Sequence, residues 1–188
     1  MIFDGSNAQM ISGTNNFYDL TMNKSSNNVT LSSPMTYTDV LTLTSGNIIT
    51  TSTNLLNVPA TATIRRGSSS SYVSGPMTKV INAGGSFTAP VGKITPGRYR
   101  PVTVAATSGA DTWNIEYFGV NATSAGYNNA IMNTANILTV SMYEYWMVNP
   151  GTTTSAGLTL TYDVGSYSPP IVGVLTDLRV ARWESSVP

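Results

Sequence analysis

Nearly every readable segment of this chain repeats with a period of two. "VTL" at 29–31, "VLTLT" at 40–44, "TVAA" at 103–106, "TWNIEYFGV" at 112–120 and "LTLTY" at 158–162 alternate apolar with hydroxyl or other polar residues. Val, Thr, Ile and Tyr at that spacing favour half-buried strands, whose successive side chains point to opposite faces. Turn signals cut between them: "SGN" at 45–47, "NAGG" at 82–85, "NPG" at 149–151 and "SPP" at 168–170. The long stretch free of Gly and Pro, 127–149, has room for a short helical turn near Asn128–Ala135, but "ILTVSMYEYW" beyond it again reads as strand. The pattern predicts an all-β protein.

The two halves differ in texture. Through residues 1–82 short apolar pairs recur every 8–12 residues: Met10/Ile11, Tyr18/Leu20, Val29/Leu31, Leu41/Leu43, Ile48/Ile49, Leu55/Leu56, then Ile64. Short strands at nearly regular spacing predict a β-solenoid-like part, each coil laying its apolar residues on the next. A plain antiparallel sandwich also fits that spacing. Residues 83–188 hold longer strands, all three Trp and seven of the ten Tyr, and predict a β-sandwich part.

Charge narrows the functional classes. Only 10% of the 188 residues are charged, against about 25% in ordinary domains, and nine basic residues cancel nine acidic ones. A nucleic-acid partner needs a basic footprint to release counterions, and a polybasic membrane patch needs the same residues in a cluster. Neither is present. The absence of Cys removes a disulfide framework and thiolate metal sites. The absence of His removes the usual general base and the commonest transition-metal ligand. No cofactor is expected. No apolar run approaches the roughly 18 residues of a membrane span, and residues 1–25 lack the layout of a signal peptide.

Candidate sites are few. "FTAPVGKITPGRYRPVTV" at 87–104 crowds Pro90, Pro96 and Pro101 with Gly, Lys and two Arg. It lacks the spacing of a phosphate-binding loop. Its prolines and glycines suit a stiff corner, with Tyr99 packed inside and Arg98 or Arg100 on carbonyls or on an acid such as Glu116. The sharper reading has Arg98 and Arg100 clamp a carboxylate or acidic sugar. Asp4, Asp19 and Asp39 form no paired-acid motif of the kind glycoside hydrolysis uses, so no enzymatic activity is expected. In "MYEYWMV" alternation sets Tyr143, Tyr145 and Met147 opposite Glu144, Trp146 and Val148. In "WNIEYF" it sets Trp113, Ile115 and Tyr117 opposite Asn114, Glu116 and Phe118. One face of each strand must be core. The other makes Tyr143 and Tyr145 candidate glycan contacts.

Several phrases in order carry a resemblance: "FDGSNAQMISGTNNFYDLTMN" (3–23), "VTLSSPMTYTDVLTLTSGNI" (29–48), "SSYVSGPMTKVI" (70–81), "FTAPVGKITPGRYRPVTV" (87–104), "EYW" (144–146) and "LRVARW" (178–183). Together they resemble a module of Bacteroidetes cell-surface and secreted proteins, commonly exported by type IX secretion. The resemblance implies a right-handed β-helical stretch leading into a β-sandwich, at an extracellular or cell-surface location. Ala89 departs from it, since Phe is usual before "PVG". It implies no reaction. The expected function is a non-catalytic structural or adhesive module, a segment or subunit of a self-assembling surface fibre. Its partners would be further copies or neighbouring domains of a larger surface protein. A carbohydrate-binding module that contacts polysaccharide is the alternative, and a β-helical polysaccharide-degrading enzyme stands third.

Overall fold

The computed structural model describes residues 1–128, 140–162 and 180–183. The expected helical turn (Asn128 apart) and "SPP" at 168–170 lie outside the described residues. The first twelve strands come in triplets: β1 Ile2–Phe3, β2 Gln9–Ile11 and β3 Asn15–Phe17; β4 Leu20–Asn23, β5 Val29–Leu31 and β6 Met35–Tyr37; β7 Val40–Ser45, β8 Ile48–Ile49 and β9 Leu56–Val58; β10 Thr63–Arg65, β11 Val73–Ser74 and β12 Met77–Ile81. Each triplet is one coil. Like members of successive triplets pair in parallel, giving the orders β1-β4-β7-β10, β2-β5-β8-β11 and β3-β6-β9-β12. The chain is all-β, and its first part is a solenoid of about four turns.

Period-two patterning explains the stack. Within a coil every second residue points inward, and parallel register brings like residues above one another. Leu20 lies on Leu41 and Met22 on Leu43, Val29 on Ile48 on Val73, and Met35 on Leu56 on Met77. All ten of these inward side chains are almost fully buried. Burying each contributes about 1.5–3 kcal/mol, enough to hold strands only two or three residues long. Met10 and Tyr18, the first members of two apolar pairs, face outward and are exposed. Asn side chains join coils at one corner: Asn28 Oδ1 accepts from Asn47 N, and Asn47 Oδ1 accepts from Tyr72 N. At the turn into β12, Gly75 has φ +126° and lies where a Cβ would strike the Thr50 carbonyl, so the coil closes there only with glycine.

Beyond Ile81 the pairing changes character. The later strands are β13 Ser86–Ala89, β14 Val91–Lys93, β15 Arg98–Tyr99, β16 Val102–Ala106, β17 Asp111–Phe118, β18 Tyr145–Pro150 and β19 Ala156–Leu160. β14 still stacks in parallel on β11, but β15 folds back on it as a hairpin. β17 runs antiparallel on β12 and carries β18 on its far side. β13, β16 and β19 form a separate antiparallel sheet. These strands cap one end of the solenoid, and one cluster of buried side chains runs from Phe3 through Ile115 and Tyr117. The stretch 87–104 is thus more strand than corner: β13, β14, β15 and the start of β16, with Pro90 and Pro101 at the breaks. Ala89, where an aromatic was expected to be missing, is fully buried.

Candidate functional site: the outer face of the cap

β17 buries Trp113, Ile115 and Tyr117 against the solenoid, so Asn114, Glu116 and Phe118 face out, as the alternation requires. On β18 the cross-strand partners are Asn149 beside Asn114, Met147 beside Glu116 and Tyr145 beside Phe118. Trp146 faces the other way and packs on Tyr117 at 5.4 Å between ring centroids. Phe118 and Tyr145 stack face to face at 4.6 Å, their planes 2° apart.

The stack continues at both ends. Lys93 Nζ sits over the Phe118 ring, 5.1 Å from its centroid, and is ion-paired to Glu116 at 2.6 Å. Tyr127 meets Tyr145 edge to face at 5.7 Å and meets Trp183 in the same manner at 5.8 Å. The Tyr127 hydroxyl also lies 3.9 Å from Met147 Sδ. Burial, reinforced by Tyr127 and Glu116, raises the Tyr145 hydroxyl above its ordinary pKa. Phe118 and Tyr145 therefore cover one face of each other, Lys93 lies over the Phe118 ring, and Trp183 at the end of the row stays exposed. Beside them the row offers the Asn114 and Asn149 amides to solvent.

Of the four residues expected to touch a ligand, Tyr145 lies in this row. Tyr143 precedes β18 and is half-buried. Arg98 is half-buried on β15, across from Lys93. Arg100 is buried beneath the face, where its Nε donates to Glu144 Oε2 at 3.1 Å and one terminal nitrogen donates to Tyr99 O. The Tyr117 hydroxyl donates to the same carboxylate oxygen at 2.8 Å, and Trp146 Nε1 donates to the Arg100 carbonyl at 3.1 Å. The acid that Arg100 meets is thus Glu144, while Glu116 is held by Lys93. Tyr99, expected inside, is half-buried with its ring 5.9 Å from Tyr72.

Two buried lysines went unnoticed in the sequence. Lys24 Nζ donates to Asp4 O, Asn7 O and Gln9 Oε1 at 2.6–2.7 Å, tying down the first corner loop. Lys79 Nζ does the same for Pro59 O, Ala60 O and Ala62 O at 2.6–3.2 Å, and sits 5.2 Å from the Phe87 ring centroid. Burial lowers its pKa. The Met77–Lys79–Ile81 alternation does put Lys79 on the core face, so a signal for it existed. Asp111 is a third hub. Its carboxylate accepts from Thr112 N, Thr152 N, Thr152 Oγ1 and Thr154 Oγ1, fastening the 152–154 turn to β17. Those bonds, that from Thr154 foremost, hold its pKa down at about 2 against the penalty of burial.

Two of the three solenoid acids, Asp19 and Asp39, share one corner, apart from Asp4 in the loop after β1. Asp39 N donates to Tyr18 O, and Asp19 Oδ1 accepts from Val40 N, so the two acids sit on adjacent coils. The charge of Asp39 raises the Tyr18 hydroxyl. Among the described residues no group of three or more His, Cys, Asp or Glu could hold a metal ion, and no helix is long and apolar enough to cross a membrane. No protein-family model matches this chain, and no curated protein or solved structure matches it either.

Proposed function

We propose that the chain is a non-catalytic structural and adhesive module of an extracellular or cell-surface protein, with a right-handed β-solenoid closed at one end by a β-sandwich-like cap. One observation carries this reading. The side chains best suited to chemistry, Lys24, Lys79, Asp111, Arg100 and Glu144, each hold one part of the scaffold to another. The resemblance to Bacteroidetes surface modules, with type IX export, points to the same setting.

Adhesion is assigned to the first coil. Among the described residues β1, β2 and β3 are each the last strand of their sheet, so three rows of backbone donors and acceptors there lie at the edge of the stack. Met1, Ile2, Met10 and Tyr18, each more than half exposed, belong to that coil. Few charges stand there to keep a neighbour off. A second copy, or a neighbouring domain of a larger surface protein, would cover this end. Negative-stain electron microscopy of the purified chain tests this: end-joined particles are expected, and single particles at every concentration would remove the reading.

A second reading, polysaccharide binding, is favoured by the exposed Asn114 and Asn149, which sit side by side next to Glu116. With Phe118 and Tyr145 stacked on each other, such binding would rest chiefly on hydrogen bonds. Depletion of the chain by insoluble polysaccharide, lost in Asn114→Ala/Asn149→Ala, would support it; no depletion would dismiss it.

A further inference from the structure

The capped end of the solenoid lacks one strand. In every earlier coil the strand that follows the third sheet enters the first sheet: β4 after β3, β7 after β6, β10 after β9. By that rule β13 should lie on β10. Instead, among the described residues, β13 pairs only with β16 and the first sheet stops at β10. Between them is a cleft of about 370 Å³, at the lower end of the roughly 300–1,000 Å³ typical of ligand clefts, with β10 and the loop before it on one side, β13 on the other and Lys79 to Asn82 of β12 and its turn between.

Among the described residues both sides of this slot are unpaired strand edges, and its inner residues are incompletely covered. Ile64 on β10 and Phe87 on β13 pack against the core but remain half-buried, flanked by exposed Thr63 and Thr88. Asp39, whose carbonyl accepts from Thr63 N, stands at the start of β10, and the cations Arg65 and Arg66 gather at its other end. Between Asp39 and Asp111 the chain carries six cations and no carboxylate. Of these Lys79, Lys93 and Arg100 are occupied as described above. Arg65 and Arg66, at the end of β10, are exposed and make no side-chain hydrogen bond or ion pair among the described residues.

We propose that this slot is a receptor for one extended, carboxylate-bearing peptide segment of another protein. The segment adds main-chain hydrogen bonds to the β10 edge and sets an apolar side chain over Ile64 and Phe87. Its carboxylate lies beside Arg65 and Arg66. A lone strand suits the slot better than the folded edge of a second copy. Such an edge brings another strand about 4.7–4.9 Å behind it, into the place β13 occupies.

The test uses a fluorescein-labelled peptide, Thr-Val-Thr-Val-Asp-Asp, in fluorescence anisotropy with the full chain. Saturable binding is expected, weakened at least tenfold by Arg65→Glu/Arg66→Glu. Both positions are exposed, and circular dichroism of the variant checks that its fold is kept. N-methylation of alternate peptide nitrogens, which removes strand donors while keeping every side chain, is expected to weaken binding to the same degree. Absence of saturable binding would overturn the proposal, as would equal affinity for the N-methylated peptide. Competition between the peptide and self-association of the chain would assign the slot to a second copy and overturn it too. The first coil lies at the opposite end, so failure here leaves the adhesive reading standing.

Discussion

Arg100 and Glu144 are 44 residues apart in the chain and meet at 3.1 Å, their side chains only 9% and 5% exposed. The pair joins the segment after the β14–β15 hairpin to the segment that leads into β18. Tyr117 of β17 completes it by donating to the same carboxylate oxygen. Breaking a buried pair from one side leaves a desolvated charge and costs about 3–5 kcal/mol. Glu144→Ala should lower stability by about that amount in urea unfolding. The double variant Arg100→Met/Glu144→Met should recover much of the loss. A Glu144→Ala loss below about 1 kcal/mol would place it in the range of solvent-exposed pairs.

Tyr37 carries the opposite expectation. Its ring is fully buried in the third sheet, its hydroxyl has no hydrogen-bond partner among the described residues, and burial raises its pKa strongly. An orphaned buried polar group costs about 1–3 kcal/mol. Tyr37→Phe should therefore leave thermal stability unchanged or raise it, with identical circular dichroism. A marked fall in Tm would mean that the hydroxyl has a partner.

Asp111 sets an acid limit. Its folded pKa of about 2 lies below its ordinary value of 3.8. Its contribution is therefore complete above the unfolded value and is lost as pH falls through the folded one. The stability gap between the wild type and Asp111→Asn should be constant at neutral pH, narrow below about pH 4 and close near pH 2. Urea midpoints across that range measure it. A gap that persists to pH 2 would contradict the four-donor arrangement.

The inward columns make the sharpest claim about the fold. Val29 and Leu43 lie at the centre of the stack, on Ile48 and Met22 respectively. Val29→Lys and Leu43→Glu each place a charge there with no partner and should abolish cooperative unfolding. Leu158→Lys, at a more exposed strand position, should not. Unchanged melting of either core variant would remove the assignment.

Much of this was legible in residue order. The spaced apolar pairs marked Leu31 and Leu43 as solenoid core, and alternation separated Trp113, Ile115 and Tyr117 from Asn114, Glu116 and Phe118 without saying which side is buried. It could not say that Arg100 would meet Glu144 rather than Glu116, because that choice depends on how β18 returns to β17 after more than twenty intervening residues. Lys79 was readable from its inward position between Met77 and Ile81. Lys24 was not, since its partners are corner carbonyls a full coil earlier in the chain. The slot beside β10 was invisible for a further reason: it is a departure from the stacking rule, and only the three-dimensional register exposes it.

The open first coil is the centre of the functional account, and sedimentation velocity over a hundredfold range of concentration tests it most directly. The weight-average sedimentation coefficient of the wild type should rise with concentration. Ile2→Lys/Met10→Lys, two exposed positions on that coil, should hold the chain at the monomer value across the range. A wild type that stays monomeric throughout, or a rise that the double variant leaves unchanged, would contradict adhesion through the first coil.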